Sequence, residues 1–327
     1  MTKTNNPLFS NSYHVVYDRV QKKCNINQKE FFSGKFFVDK QSSGFYSYDQ
    51  PEGARITPLQ YACLQNNQDI ALLLIQKGAN VNAIDTNGVS VLQMAVMNDL
   101  LSVVKALVDG GADVNYRSKL GSVLDICCMA HAADSAAYLM DHGAEISGQS
   151  LKVACRYYNK KILERMLQAE GEQVNNLLFW CCSSLNNVNP VKYLLNRGGK
   201  LSYKKDGRNL LHATCTQQGK TTNIMKFLFD NGLCIDSADR EGNTPLHLAS
   251  IHHNYQAIEW LLKNGANPEL ENNVGEQPIL YAAANGAYTK RLVTVFRKYT
   301  DIDLFTQDLI GRSLKDYLSQ KQMAEIS

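Results

Sequence analysis

Several features that would assign a function directly are missing from this chain. No apolar run approaches the ~18 residues that a membrane-spanning helix needs, so nothing in the sequence is expected to cross a bilayer. The first residues, MTKTNNPLFSNSYH, lack the unbroken apolar stretch of a secretory signal. The formal net charge is only +3, too small a surplus to argue for nucleic acid by itself. There is no Gly-rich phosphate loop, no G-x-S-x-G elbow and no H-E-x-x-H, so no catalytic, cofactor-binding or metal-ligating set is assigned. The 9 cysteines include no C-x-x-C pair.

What the chain does have is repetition. Thr57 opens TPLQYACLQNNQDIALLLIQKGANVNAIDTNG, Ser90 opens SVLQMAVMNDLLSVVKALVDGGADVNYRSKLG, and Thr244 opens TPLHLASIHHNYQAIEWLLKNGANPELENNVGE. Aligned on the TPLH-like element, units start near Thr57, Ser90, Ser122, Gln149, Asn176, Asn209, Thr244, Gln277 and Arg312, in steps of 33, 32, 27, 27, 33, 35, 33 and 35 residues. Each step follows one physical plan. The Thr hydroxyl caps a first helix, and Pro suits the first helical position because its missing N–H bonds nothing there. A turn leads to a second helix with apolar residues at helical spacing, such as Ile70, Leu73 and Leu74. Gly78 or Gly111 then ends that helix in a left-handed conformation. Neither helix can bury its apolar face alone, so the pairs are expected to stack into one continuous core.

The TPLH…A and GADVN elements at this period resemble ankyrin repeats over roughly four-fifths of the chain. The resemblance implies an all-α solenoid of helix-turn-helix units with projecting hairpin loops, here called fingers. It also implies a non-catalytic module, an adaptor or scaffold, that grips a partner protein in a concave groove. The expected division is an N-terminal capping or docking segment over 1–53, repeats over 54–311, and a C-terminal half-repeat cap over 312–327.

The repeat register accounts for most of the cysteine and part of the histidine. Cys63, Cys128, Cys155, Cys182 and Cys215 fall on the seventh position of their units, and Cys127 and Cys181 on the sixth. The ankyrin pattern uses Ala at both, and free Cys behaves as a small hydrophobe. Equivalent positions lie about one repeat apart, too far for a disulfide, so a reducing, cytoplasmic location is expected. Only Cys24 and Cys234 fall outside this explanation. His212 and His247 occupy the His of TPLH, where the resemblance implies an imidazole that ties adjacent loops together. His252 and His253 end a first helix, and two adjacent side chains alone make a poor metal site.

Departures from the pattern point to the surface. The steps from Ser122 to Gln149 and from Gln149 to Asn176 are 27 residues each, and what is missing is the finger found elsewhere as NAIDTNG or SADREGN. Losing two fingers in succession predicts a notch. Around it stand Tyr116, Arg117 and Lys119 on one side, Arg156, Tyr157 and Tyr158 on a first helix, and Tyr203, Lys204, Lys205 and Arg208 on the other side. Aromatic and Arg side chains supply much of the energy of protein interfaces, and clustered positive charge steers an acidic segment in. The expected partner is therefore another protein with an acidic segment, with no membrane and no nucleic acid. Solvated charge and loop drift are the plainer accounts of the same residues.

The N-terminal segment offers a helical stretch through Tyr13, Val16, Tyr17 and Val20. Two aromatic-rich stretches about Ser42, Ser43 and Gly44 then form a candidate β-hairpin that carries Phe31, Phe32, Phe36 and Phe37. It is expected to cap the first repeat or to dock a second partner. A small catalytic centre in this segment or the notch is the enzymatic alternative, but about fifty residues is less than an independent domain usually needs. Asn82 and Asn115, each with a Leu eight residues before it, resemble the context modified by the asparaginyl hydroxylase of animal cells. A single-solenoid chain of this kind also resembles the effectors that intracellular bacteria deliver into a host cytosol.

Overall fold

A short polar side chain stands before most of the first helices and closes the turn that starts them. Thr57, Ser90 and Ser122 each accept the backbone N–H of the residue three positions on, and that residue's own side chain accepts the cap's N–H in return. Two otherwise orphaned donors are satisfied at each start, for about 1 kcal/mol per cap. The helices are consequently short and sharply bounded. The computed structural model describes residues 30–32, 54–167, 172–216, 222–287, 290–301 and 307–318. They fall into two units, Met1–Gln168 and Ala169–Ser327.

The first unit pairs α1 (Pro58–Leu64) with α2 (Gln68–Gln76), α3 (Val91–Met97) with α4 (Leu101–Asp109), α5 (Val123–Ala130) with α6 (Ala133–Asp141), and α7 (Gly148–Tyr157) with α8 (Lys160–Met166). First helices pack on first helices and second on second, each pair adding one layer to the stack. Leu59, Leu74, Leu92, Leu107, Leu124 and Leu139 are all at most 2% exposed. Each such Leu contributes about 2 kcal/mol of apolar burial relative to exposure. In α3 every residue from Val91 to Val96 is buried, because neighbours press on the first helix from both sides and from behind. Two short strands precede the stack. β1 (Glu30–Phe32) runs antiparallel to β2 (Ala54–Ile56), with Phe31 opposite Arg55. The hairpin expected about Ser42–Gly44 and the helix expected about Tyr13–Val20 lie outside the described residues, as do Phe36 and Phe37.

The second unit repeats the plan. Its first helices are α9 (Glu172–Ser184), α11 (Leu210–Cys215), α13 (Pro245–Ile251), α15 (Pro278–Ala284) and α17 (Leu314–Tyr317). Its second helices are α10 (Val188–Asn196), α12 (Thr222–Asp230), α14 (Tyr255–Lys263) and α16 (Lys290–Arg297). The core runs through Leu194, Leu211, Leu228, Leu246, Leu261 and Phe296. The described chain is thus helical throughout, its strands confined to two-stranded pairings of two or three residues.

Seven cysteines, Cys63, Cys127, Cys128, Cys155, Cys181, Cys182 and Cys215, are free and buried where first helices meet. Burial pushes the thiols of Cys63, Cys128 and Cys215 up to about 12. A thiol so placed stays protonated at neutral pH and packs as a small apolar group. Cys234 is exposed, and Cys24 lies outside the described residues.

Where a finger is missing, the chain makes more helix instead. The first helices α1, α3, α5, α11, α13 and α15 have 6 to 8 residues. In contrast α7 has 10 and α9 has 13. Ser147 of GAEIS holds the place that Asn115 holds in GADVN, yet it is already the N-cap of α7, two residues ahead of Gln149. Helix α9 begins at Glu172, four residues ahead of Asn176. In both places residues ahead of the expected unit start are helical and form no finger.

Candidate functional site

The fingers are held by a small set of side chains with two jobs each. The residue three positions past the N-cap accepts the cap's backbone N–H and also donates to the next finger. Gln60 Nε2 donates to the Ala83 carbonyl at 3.4 Å, and Gln93 Nε2 to the Gly121 carbonyl at 2.9 Å. In the second unit His212 Nε2 donates to the Asn243 carbonyl at 2.9 Å, and His247 Nε2 to the Glu276 carbonyl at 2.8 Å. The His247 Nδ1 accepts the backbone N–H of Thr244, and the His212 Nδ1 meets both the backbone N–H of Asn209 at 3.3 Å and its Oδ1 at 2.6 Å. Burial pulls the His212 imidazole below its ordinary value and the His247 imidazole to about 4. Both are structural ties, as the TPLH resemblance implies.

Asp125 takes this position in the last finger-bearing repeat of the first unit. Its Oδ2 closes the capping box on Ser122 at 2.9 Å, but a carboxylate has no proton to pass on. Its Oδ1 is buried with no hydrogen-bond partner, and Arg117 stands 3.8 Å from Oδ2. The tie ends where the next finger is missing.

The Asn of GANVN and GADVN adds a second tether. Asn82 donates to the Gly111 carbonyl at 3.0 Å and accepts the Asp113 N–H at 2.9 Å. Asn115 does the same with Gly143 at 3.1 Å and Glu145 at 2.8 Å. The side-chain amides expected to lie in a hydroxylation context are therefore bridges between consecutive loops.

The ten residues expected around the notch fall into three groups. On the second finger of the first unit, β3 (Arg117–Ser118) pairs with β4 (Gly121–Ser122). Tyr116 is half-buried there, its hydroxyl donating to the Gly88 carbonyl at 2.8 Å, while Arg117 and Lys119 are exposed. At the far end of α7, Arg156 is exposed and Tyr157 half-buried. Tyr158 has left the helix, with φ 41 and ψ 67 at the turn into α8. Asn66, Asp99 and His131 hold the same left-handed position in earlier repeats, and a Tyr there carries about 1 kcal/mol or more of backbone strain. A helix of the length of α7 spans about 15 Å, so the Tyr pair and the finger residues stand at opposite ends of the first-helix layer.

The third group belongs to the second unit and forms one basic finger. Lys205 and Arg208 face each other across its tip. Tyr203 donates to Asn176 Oδ1 at 2.9 Å, and Lys205 Nζ lies 6.0 Å over the Phe179 ring. Arg208 Nε reaches Asp239 Oδ2 of the next finger at 3.3 Å, while Lys204 projects outward. Tyr116, Tyr203 and Arg208 thus have structural work to do, which leaves Lys204 and Lys205 as the exposed basic pair.

Fingers later in this unit carry residues that motif reading passed over. Asn273 N donates to the Glu241 carbonyl at 3.0 Å, and Leu309 N to the Val274 carbonyl at 3.1 Å, so successive tips touch. A Cβ on Gly242 would stand 2.6 Å from Asn273 N, and one on Gly275 would stand 2.7 Å from Leu309 N. Only glycine permits that approach. Glu269 and Glu271 are exposed on the third finger, and Leu309 and Ile310 are 75% and 71% exposed on the fourth. The signal was an apolar DLIG where earlier fingers read DTNG or DREG. Among the described residues, no three His, Cys, Asp or Glu side chains converge as a metal site would require, and no helix is long and apolar enough to cross a membrane.

Short antiparallel helix pairs, stacked one layer per repeat and joined by tethered fingers, define a repeat protein whose stability comes from neighbouring units. The family model for ankyrin repeats (3 copies) matches residues 35–118, 59–150 and 178–272, about two-thirds of the chain. The chain belongs to the ankyrin-repeat family.

Relatives are found in proteins of different kinds. Mouse synphilin-1 is 37% identical over 89 residues, which is 27% of this chain and 9% of that protein. Mouse NF-kappa-B inhibitor zeta is 24% identical over 281 residues, 77% of this chain and 38% of that protein. The human transient receptor potential cation channel subfamily A member 1 is 24% identical over 250 residues, 75% of this chain and 20% of that protein. The chain spans well under half the length of each of these relatives, so the likeness concerns the repeat array they share.

Proposed function

We propose that the chain is a protein-interaction module, an adaptor or scaffold without catalytic chemistry of its own, whose fingers hold an acidic segment of a partner protein. One observation carries this reading. The finger from Lys200 to Arg208 is clamped by Tyr203 on Asn176 and by Arg208 on Asp239, so Lys204 and Lys205 are displayed on a fixed support. Preorganised charge of this kind raises association rates more than it lengthens lifetimes. In the first unit, Arg117 and Lys119 offer a second basic finger to the same kind of partner, and the rim of Arg156, Tyr157 and Tyr158 offers anchors.

Replacing Lys204 and Lys205 with Glu tests the proposal. Association with a captured partner should slow, with the wild-type advantage shrinking as salt rises, while thermal stability stays unchanged. Tyr157→Ala with Tyr158→Ala should instead raise the dissociation rate, by on the order of 2 kcal/mol if the pair is a hot spot. A partner indifferent to all four changes would remove these fingers and this turn from the account. Action on host proteins as a delivered effector is the finer form of the same proposal, and capture of a specific partner from eukaryotic lysate tests it. The cytoplasm is the proposed location because seven reduced thiols sit in the core.

A further inference from the structure

The row of fingers in the second unit changes character from one end to the other. Lys204 and Lys205 are exposed on its first finger, Glu269 and Glu271 on its third, and Leu309 and Ile310 on its fourth. Among the described residues, none of these four charged side chains takes part in an ion pair. The second finger carries Arg240 between Asp239 and Glu241, and its Asp239 is already paired with Arg208 of the first finger. Contacts join the series throughout: Arg208 to Asp239, Asn273 to Glu241 and Leu309 to Val274.

We infer that this row is a three-zone ledge that reads an extended peptide carrying an acidic pair, then a basic pair, then an aliphatic pair, in the order that matches the fingers. The inference rests on the proposed interaction function and names the class of segment it takes. Spacing follows from packing. Neighbouring helices stand about 8–10 Å apart, so the basic and acidic zones are about 20 Å apart and the aliphatic zone about 10 Å further on. An extended chain advances about 3.3 Å per residue, which places the peptide's basic pair about six residues from its acidic pair, and the aliphatic pair about three beyond that.

The zones are read separately because about 20 Å exceeds the Debye length of about 8 Å at physiological salt. Opposite charges on the ledge therefore do not cancel for a ligand that touches both. A segment with no net charge still meets two complementary fields, whereas a uniformly acidic one is repelled at the third finger. The aliphatic pair supplies the desolvated end, since two large apolar side chains at more than two-thirds exposure on one fingertip gain most from being covered.

The test uses the full chain and synthetic fluorescein-labelled peptides of twelve residues with Ser and Gly spacers. One carries Glu-Glu, Lys-Lys and Leu-Ile at the stated spacing, a second carries the reverse order, and a third is scrambled. Fluorescence anisotropy should show one of the two ordered peptides binding about tenfold or more tighter than the scramble. Leu309→Ser with Ile310→Ser should weaken that peptide about tenfold, and Glu269→Lys with Glu271→Lys should do the same. Replacing the peptide's Lys pair by Glu should restore binding to the latter variant alone. If neither ordered peptide exceeds the scramble, the ledge is overturned. Dependence on Lys204 and Lys205 without dependence on the other two zones also overturns it, and leaves the basic finger standing. Ordered-peptide binding that ignores all three zones removes both readings.

Discussion

The two units build their stacks from the same helix pairs but tie their fingers with different chemistry. The first uses the amides of Gln60 and Gln93 and then stops at Asp125, while the second uses the imidazoles of His212 and His247. An amide and a neutral imidazole each hold one donor and one acceptor, so either can close the capping box and reach the next finger. A carboxylate can only close the box. Asp125 stands where no finger follows, so the lost donor and the lost finger agree with each other. The comparison teaches that one side chain, three residues into the first helix, decides whether a finger is anchored. It also predicts that only the second unit carries a proton-dependent tie.

The largest effect should come from cutting that tie. His247→Ala leaves the Thr244 N–H buried without a partner, at about 1–3 kcal/mol, empties a fully buried side-chain site, and leaves the Glu276 carbonyl with the Asn272 N–H alone. The second unit should lose several kcal/mol in urea unfolding, and hydrogen exchange should show the loss centred on residues 244–276. Next comes acid. The His247 imidazole is held at about 4 against an ordinary 6.5, so below pH 6.5 the unfolded chain takes up a proton that the folded chain refuses. Stability therefore falls as pH drops from about 6.5 to about 4, by on the order of 3 kcal/mol from this group. His247→Gln, which copies Gln60 and Gln93, should remove this part of the slope. An unchanged slope would break the contrast between imidazole and amide ties.

Smaller effects probe the cores and the turns. Cys155→Phe should overpack the helix interface and destabilise by ~1–3 kcal/mol, whereas Cys155→Ala or Cys63→Ala should change stability by no more than about 1 kcal/mol. A binding or chemical activity lost in a folded Cys→Ala variant would show that the thiols do more than pack. Tyr158→Gly should stabilise the first unit by roughly 0.5–1 kcal/mol by relieving the left-handed turn, read as a rise in Tm. Smallest of all, modification of Asn82 or Asn115 by the asparaginyl hydroxylase would add one oxygen to the intact mass after expression in animal cells. No such difference with and without that enzyme would remove the proposal.

The helix pairs were legible because each is announced locally, by a cap such as Thr57 or Ser90, an apolar stripe and a closing glycine. The buried cysteines were legible for the same reason, since register alone put Cys63 and Cys155 where only small side chains fit. Helix extension into the missing fingers was not, because GAEISG and AEGEQVNN contain nothing that forbids helix and no local mark of where it starts. Tyr158 shows the same limit. Helical spacing continues it from Tyr157, and only the turn into α8 forces the left-handed conformation. Of the basic residues, sequence could group Tyr203 to Arg208 by adjacency. It could not show that Arg208 is committed to Asp239, a partner 31 residues away.

The central claim is that the fingers, and the Lys204–Lys205 finger first, are the surface that meets an acidic partner. Zero-length carbodiimide coupling of the captured complex, followed by peptide mass spectrometry, addresses it directly because it joins lysine amines only to carboxylates in contact. The account predicts cross-links from Lys204 or Lys205 to Asp or Glu of the partner, weakened as salt rises. Cross-links confined to lysines of the second-helix layer, such as Lys161, Lys226 and Lys263, would contradict it.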